Sequence, residues 1–367
     1  TKAFFVSDLH GRKTRYDKLF EAIYSEMPQL VLLGGDVLPS GISILSDESV
    51  NGDFLDDYLA NKFELLKDKM KDKFPLVLMI AGNDDPKAYM NKFFEFEEKG
   101  YWKYLNEKVV KFQEYFIAGY AYVPPTPFLL KDWEKYDVSR FVDVGCVSPE
   151  EGFRSVKKEG NVIRHETISE DLEKYFKNMD FEKSVFLFHS PPYKTNLDRI
   201  NTNGKMIDYV QPDEHVGSIA IQRFIESKQP LLTLHGHIHE SASITVEWKD
   251  TIGRTVCVNG STEKNKLALV KFSIEGETVK VERGDLEVPI TASGRIEPAS
   301  ITKLKGKASG EVQLMPQRIG ELVKKDELII GLDPQDEQRN VDRATADHER
   351  ARIALERARI SRREAEV

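Results

Sequence analysis

Short apolar runs and amphipathic stretches alternate along the first 130 residues. The runs at 3–6, 30–33 and 76–80 are continuous and rich in Val, Ile, Leu and Phe, as expected of strands buried on both faces. Between them, residues 13–27 and 54–73 are amphipathic at helical spacing, so the order β-α-β-α-β is predicted. Residues 101–147 read as further strands with aromatic alternation in KFQEYFIAGYAYV, and a loop at Pro124, Pro125 and Pro127. A helix near 170–177, a strand at 185–188, a helix near 217–227 and a strand at 231–234 follow. From 244 to 281 the pattern changes to short alternating strands in ASITVEW, RTVCVNG, LALVKFSI and TVKVER, joined by glycine-containing turns. Together these elements predict an α/β fold in which a mixed sheet is layered with helices.

A composition break near residue 288 divides the chain. Residues 1–288 hold 29 Lys and 9 Arg, whereas residues 289–367 hold 5 Lys and 10 Arg. The preference inverts, which marks the tail as a segment of different origin with its boundary in GDLEVPITASG. At 367 residues the chain exceeds what one hydrophobic core usually organises, consistent with one large domain and an appendage. Only Cys146 and Cys257 are present, in no C-x-x-C pair, so neither a disulfide framework nor a cysteine zinc site is expected. A net charge of -8 argues against a general nucleic-acid-binding surface and leaves nucleic acid only as a substrate. No run of about 18 apolar residues and no signal-peptide pattern is visible, so the chain is expected to be soluble, without membrane insertion, and cytoplasmic.

The candidate chemistry sits where the predicted strands end. FFVSDLHGR places Asp8 and His10 two residues apart, on the same side of an extended backbone, so that both can grip one ion. LVLLGGDVL ends in Gly34, Gly35 and Asp36, LMIAGNDDP in Gly82, Asn83 and Asp84, VFLFHSPPY in His189, and LLTLHGHIHES in His237 and His239. Taken singly, each has an ordinary reading as a surface loop, helix cap or turn former. Five strand ends that all carry carboxylate, amide or imidazole groups are hard to explain that way, because open α/β sheets place their chemistry at the carboxyl ends of strands. Nitrogen and oxygen donors without thiolate suit Mn²⁺, Fe or Zn²⁺ better than Ca²⁺ or Mg²⁺. His235, one residue before Gly236, reads as a core or supporting histidine.

In order and spacing these blocks resemble the calcineurin-like metallophosphoesterases over residues 1–285. PPYKTNLD, HVGS, LHGHIHES and VNGS look like the single-domain prokaryotic members. The resemblance implies a layered α/β/β/α fold with mixed sheets and two divalent metal ions. One would be held by Asp8, His10 and His239, the other by Asn83, His189 and His237, with Asp36 bridging. It also implies hydrolysis of phosphate mono- or diesters, diesters slightly favoured, by a hydroxide shared between the ions. His10, Arg12 and Asp84 are the further catalytic candidates. Arg12 has an equally ordinary reading as an exposed arginine at a helix start. Asp84 stands where family members commonly have a histidine able to protonate the leaving oxygen, and an ionised Asp cannot donate a proton.

Residues 289–340 read as short strands ending in a VKKDELIIGLD hairpin, half of a small β-sandwich. Residues 341–367 carry Ala344, Ala351, Ala358 and Ala365, and Ala346, Ile353 and Ile360, at heptad spacing. That pattern predicts a long helix seeking a partner helix or a second copy of itself. This tail resembles the first half of the lipoyl-like domain and the start of the hairpin helix in membrane-fusion (periplasmic adaptor) proteins. It leaves a competing reading for the whole chain, a phosphoesterase fold serving as a scaffold with an adaptor-like assembly tail.

Overall fold

The three continuous apolar runs form parallel strands, β1 (Lys2–Val6), β2 (Leu30–Gly34) and β3 (Leu76–Ile80). The computed structural model describes residues 1–40, 53–158, 160–204, 206–207, 209–263, 266–276, 278–287, 303, 305, 309–318 and 320–365. Ala3 lies opposite Leu30, and Leu30 opposite Leu76. Phe4, Phe5 and Leu32 are completely buried, each contributing roughly 1.5–3 kcal/mol of hydrophobic stabilisation. β4 (Lys103–Tyr104) extends this sheet at one edge, and the antiparallel pair β11 (Lys266–Glu275) and β12 (Thr278–Glu287) closes the other, in the order β12-β11-β1-β2-β3-β4.

A second six-stranded sheet stands beside it, in keeping with the α/β/β/α layering that the resemblance implied, where the apolar pattern by itself suggested one mixed sheet. It contains β5 (Lys108–Phe112), β6 (Tyr115–Tyr120), β7 (Ser184–Phe188), β8 (Leu232–His235), β9 (Lys249–Ile252) and β10 (Thr255–Asn259), ordered β5-β6-β7-β8-β10-β9. β6, β7, β8 and β10 run parallel, and the two edge strands are antiparallel. The sheets meet where β2 faces β7 and β3 faces β6, within one continuous hydrophobic core.

Helices cover the remaining faces. In α1 (Lys13–Glu26) the buried Tyr16, Leu19, Phe20 and Ile23 recur at helical spacing. Met27 ends the helix in a left-handed conformation, its N–H donating to the Ile23 carbonyl, and Pro28 follows. A π-helical stretch, Asp53–Ala60, leads into α2 (Asn61–Met70), and α3 (Met90–Glu98) follows β3. Over the second sheet, α4 (Gly160–His165) precedes α5 (Ile168–Phe176), which packs with α6 (Ile219–Lys228). The rings of Phe176 and Phe224 each lie 5.2 Å from that of Phe186.

Two stretches depart from the pattern read in the sequence. Part of ASITVEW, expected as a strand, is the short helix α7 (Ser241–Thr245). Thr245 Oγ1 donates to the Ser241 carbonyl at 2.8 Å and Ser241 Oγ to the Ile238 carbonyl at 3.1 Å, so hydroxyls hold the turn that β-branched residues would otherwise extend. The alternation was not a burial pattern, since Val246 is 83% exposed. Residues 121–158 are mostly irregular, held by isolated bridges and by a fully buried ion pair of Lys131 with Glu134 at 2.6 Å.

The chain divides into two compact units, Thr1–Ile290 and Thr291–Val367. In the second unit, β13 (Val312–Leu314) pairs antiparallel with β14 (Gly331–Leu332). The expected VKKDELIIGLD hairpin is instead a turn, closed by Glu327 N–H donating to the Lys324 carbonyl, whose far side supplies only β14. The strands expected at 289–302 lie outside the described residues. The tail helix, α8 (Gln335–Ala365), starts earlier than the heptads suggested, because Asp333 accepts from the Gln335 N–H and Pro334 suits a first helical turn. Its heptad positions Ile353 and Ile360 are 44% and 52% exposed.

Candidate metal centre

Every metal-ligand candidate follows the carboxyl end of a central strand: Asp8 and His10 after β1, Asp36 after β2, Asn83 after β3, His189 after β7, and His237 and His239 after β8. Because the two sheets face each other through β2, β3, β6 and β7, these five ends converge. The first two ligand loops are laced together: Asp8 N–H donates to the Gly35 carbonyl at 3.0 Å, and His10 N–H to that of Asp36 at 2.8 Å.

The backbone there is not extended, contrary to the sequence reading of D-x-H. Asp8, His10, Asp36 and His237 all have positive φ, at 56°, 47°, 50° and 69°. Non-glycine residues rarely adopt this region, and each such position costs of order 1–3 kcal/mol unless its surroundings enforce it. Arg15 supplies part of that enforcement, donating from Nη1 to the Asp8 carbonyl at 2.6 Å and from Nη2 to the Thr262 carbonyl at 3.3 Å. Gly35 has φ 97°, and a Cβ on it would lie 2.6 Å from His189 Nδ1. A Cβ on Gly236 would lie 2.5 Å from Asp8 Oδ2. Both glycines are needed for close approach of backbone to ligands.

Asp8, His10, Asp36 and His239 bring their donor atoms within 4.8 Å of one another. His239 Nε2 is 3.0 Å from Asp8 Oδ1 and 3.2 Å from His10 Nε2. On the other side of Asp36, its Oδ2 lies 3.3 Å from His189 Nε2, which is 3.1 Å from Asn83 Oδ1. The His189 and His237 rings are 5.2 Å apart. His189 Nδ1 donates to the Gly34 carbonyl at 2.8 Å, which turns Nε2 inward, where it can offer a lone pair to a cation once its own proton has left. Buried nitrogen lone pairs and carboxylates this close require protons or cations among them. The donor set fits divalent transition metals.

The match to known sequences agrees with this geometry. The chain matches the calcineurin-like phosphoesterase family over residues 1–241. It belongs to that family. The calcineurin-like phosphoesterases are metal-dependent hydrolases of phosphate esters, which is what the converging strand ends are equipped for. Among solved structures, TT1561 of Thermus thermophilus is 13% identical, with 77% of this chain and 98% of that one covered at a TM-score of 0.46. A putative 5'-nucleotidase from Staphylococcus aureus is 14% identical, covering 81% and 56% of the two chains at 0.45. The C-terminal part is similar instead to the pyoverdine export membrane fusion protein PvdR. The Pseudomonas putida KT2440 protein is 32% identical over 85 residues, 23% of this chain and 22% of its own length. The chain thus spans about a fifth of the curated relatives it matches. Among the described residues, no helix is long and apolar enough to cross a membrane.

Other singled-out residues of this phosphoesterase sort by their contacts. Arg12 is exposed at the start of α1. His235 is fully buried against Phe188, its ring nitrogens 2.9 Å from the Ser190 carbonyl and 2.8 Å from Thr233 Oγ1, which makes it a core residue. Asp84 Oδ2 sits 3.3 Å from His10 Nδ1, and its N–H donates to Asp36 Oδ1 at 2.8 Å. Two supporting residues escaped the sequence reading. One is Arg15, whose signal is a charge on the apolar face of α1. The other is Asp85, which accepts from Val37, Leu38 and Gly82 N–H groups and so ties the β2 and β3 loops together.

The carboxylates and imidazoles shift one another strongly. Burial lowers the proton affinity of His10, but the Asp84 hydrogen bond and the charges of Asp36 and Asp8 outweigh it and push the pKa up to about 9. For His189, burial is likewise outweighed by Asp36, giving about 9. Burial and the neighbouring His189 hold His237 down at about 3, neutral at physiological pH. Burial would raise Asp8, but His239 brings it down to about 2.

Metal entry must therefore displace protons. Binding of Mn²⁺ at pH 7.5 is expected to release about two protons per chain, measured by calorimetry in buffers of different ionisation enthalpy. A release near zero would mean that His10 and His189 are neutral before metal arrives. The sign for stability follows. With folded pKa values of about 9 against 6.5 unfolded, the two imidazoles stabilise the metal-free protein fully below pH 6.5. That contribution is lost as pH rises to about 9.

Proposed function

We propose that the chain hydrolyses phosphate esters, diesters ahead of monoesters, at a two-metal centre. Asp8, His10 and His239 would hold one cation and Asn83, His189 and His237 the other, with Asp36 serving both. The observation that carries this reading is the position of Asp36, whose Oδ2 lies 3.7 Å from His10 Nε2 and 3.3 Å from His189 Nε2. Mn²⁺, Fe and Zn²⁺ are the ions that these donors suit. Bound there, two such cations supply a low-pKa water as nucleophile and offset the charge that builds on the phosphoryl oxygens.

The chain's own residues do the rest. Asp84 accepts from His10 Nδ1, so the imidazole is oriented with Nε2 toward Asp36 and His239. The His237 N–H donates to both Asp8 oxygens, at 3.1 and 3.2 Å, which orients that carboxylate as well. Asp84 as a carboxylate accepts protons and cannot supply one to a departing alkoxide. Substrates whose leaving group needs little protonation are therefore favoured. A monoanionic diester also needs less positive charge from the site than a dianionic monoester, which supports the preference for diesters.

Two variants test this. Asp36→Asn is expected to cut kcat/KM on methyl p-nitrophenyl phosphate with Mn²⁺ by about 10²–10³, the loss typical of removing one electrostatic stabiliser from a reacting centre. Retention of turnover within tenfold would sink the shared-carboxylate centre. Asp84→His is expected to raise kcat on alkyl esters by about tenfold while aryl esters change little. An equal effect on both classes would show that position 84 has no part in leaving-group protonation.

A further inference from the structure

A cavity of about 950 Å³ opens beside the metal centre, with His237 and His239 in its wall. That volume is at the upper end of the roughly 300–1,000 Å³ typical of small-molecule sites, far more than one phosphate needs. Its other walls come from the irregular segments around 124–146 and 193–217, and include Phe128, Val138, Phe141, Met206, Ile207 and Val216. Among the described residues no lysine or arginine lines it. The charged side chains there are all acidic. Asp137 is committed elsewhere, accepting from Ser218 Oγ and the first N–H groups of α6. Asp213 accepts from the Tyr193 hydroxyl at 2.6 Å and from the His215 N–H, and Glu240 from the Asn201 N–H; with Asp143 and Glu263 they complete the acidic lining.

Phe141, Met206 and Phe128 are 70%, 59% and 55% exposed. Large apolar side chains left in water around a concave site mark a surface that an apolar ligand covers. The acidic lining repels any second anionic group on a substrate whose phosphate sits at the metals. Wall and charge thus select the same kind of molecule.

We propose that this cavity holds an ester substituent of the substrate, and that the substituent is large, apolar and free of further anionic groups. The assignment rests on the phosphoesterase reading, which sets the phosphate at the adjoining centre. Nucleoside di- and triphosphates and sugar bisphosphates are then poor substrates, and phosphodiesters carrying a long alkyl group are good ones. His237 and His239 join the two sites, so filling the cavity positions the phosphorus over the metal ligands.

A series of alkyl(methyl)phosphinate anions, with the alkyl group from ethyl to octyl and both carbons bonded directly to phosphorus, carries one negative charge and no ester bond to cleave and tests this by calorimetry with the Mn²⁺-loaded protein. Kd is expected to fall about fourfold per added methylene until the cavity is full. Ile207→Asp and Phe141→Asp, separate changes at partly exposed wall positions, should each flatten that dependence to less than twofold per methylene while the ethyl compound binds as before. A Kd independent of chain length, or a dependence that both variants retain, overturns the cavity assignment. Absence of turnover on methyl p-nitrophenyl phosphate with the chain-length dependence intact would instead overturn the phosphoesterase reading and leave the cavity as an apolar-ligand site.

Discussion

The structure depends on the convergence of two sheets at their carboxyl ends, where four candidate ligand residues are held in left-handed backbone. Buried carboxylates and imidazoles are costly to assemble without a compensating charge, and the positive φ at Asp8, His10, Asp36 and His237 adds to that cost. Much of the remaining architecture can be read as the means of sustaining it. β1, β2 and β3 are buried almost throughout, so the loops that leave them start from fixed points. Arg15 clamps the Asp8 carbonyl and Asp85 gathers three N–H groups from the neighbouring loops. A divalent cation among these donors would offset that cost.

How much of this was legible in the sequence depended on whether the physical signal was periodic. The apolar runs at 30–33 and 76–80 led directly to β2 and β3, because a strand buried on both faces has no polar positions to confuse the pattern. The donor residues stood out because they recurred at strand ends. Their left-handed geometry did not, since D-x-H reads equally well as extended chain. Residues 242–248 alternate like a strand, yet 242–245 belong to α7, where side-chain hydroxyls rather than burial decide the local structure. Arg15 and Arg12 are alike as residue types, and only the helical spacing that puts Arg15 on the apolar face of α1 marks it as the buried one. The cavity walls lie in irregular segments with no period at all, so nothing in the sequence brought Phe128, Phe141 and Ile207 together.

The centre and the cavity divide the recognition of a substrate between them. The centre is a generic device for a phosphate ester, and its ligands say little about what the phosphate is attached to. On the proposed reading, Asp84 would narrow the leaving group by withholding a proton, and the acidic, apolar cavity would narrow the ester substituent by charge and shape. The tail answers to other constraints. α8 is exposed along its described length and braced by pairs such as Arg352 with Glu349 at 2.6 Å, and its sequence similarity is to export membrane fusion proteins rather than to phosphoesterases.

The claim that Asp36 joins two cation sites is open to direct observation. Crystals grown with Mn²⁺ and measured across the manganese absorption edge should show two anomalous peaks per chain, one among Asp8, His10 and His239 and one among Asn83, His189 and His237. Asp36 should reach both. A single peak, or two peaks of which only one touches Asp36, would contradict it.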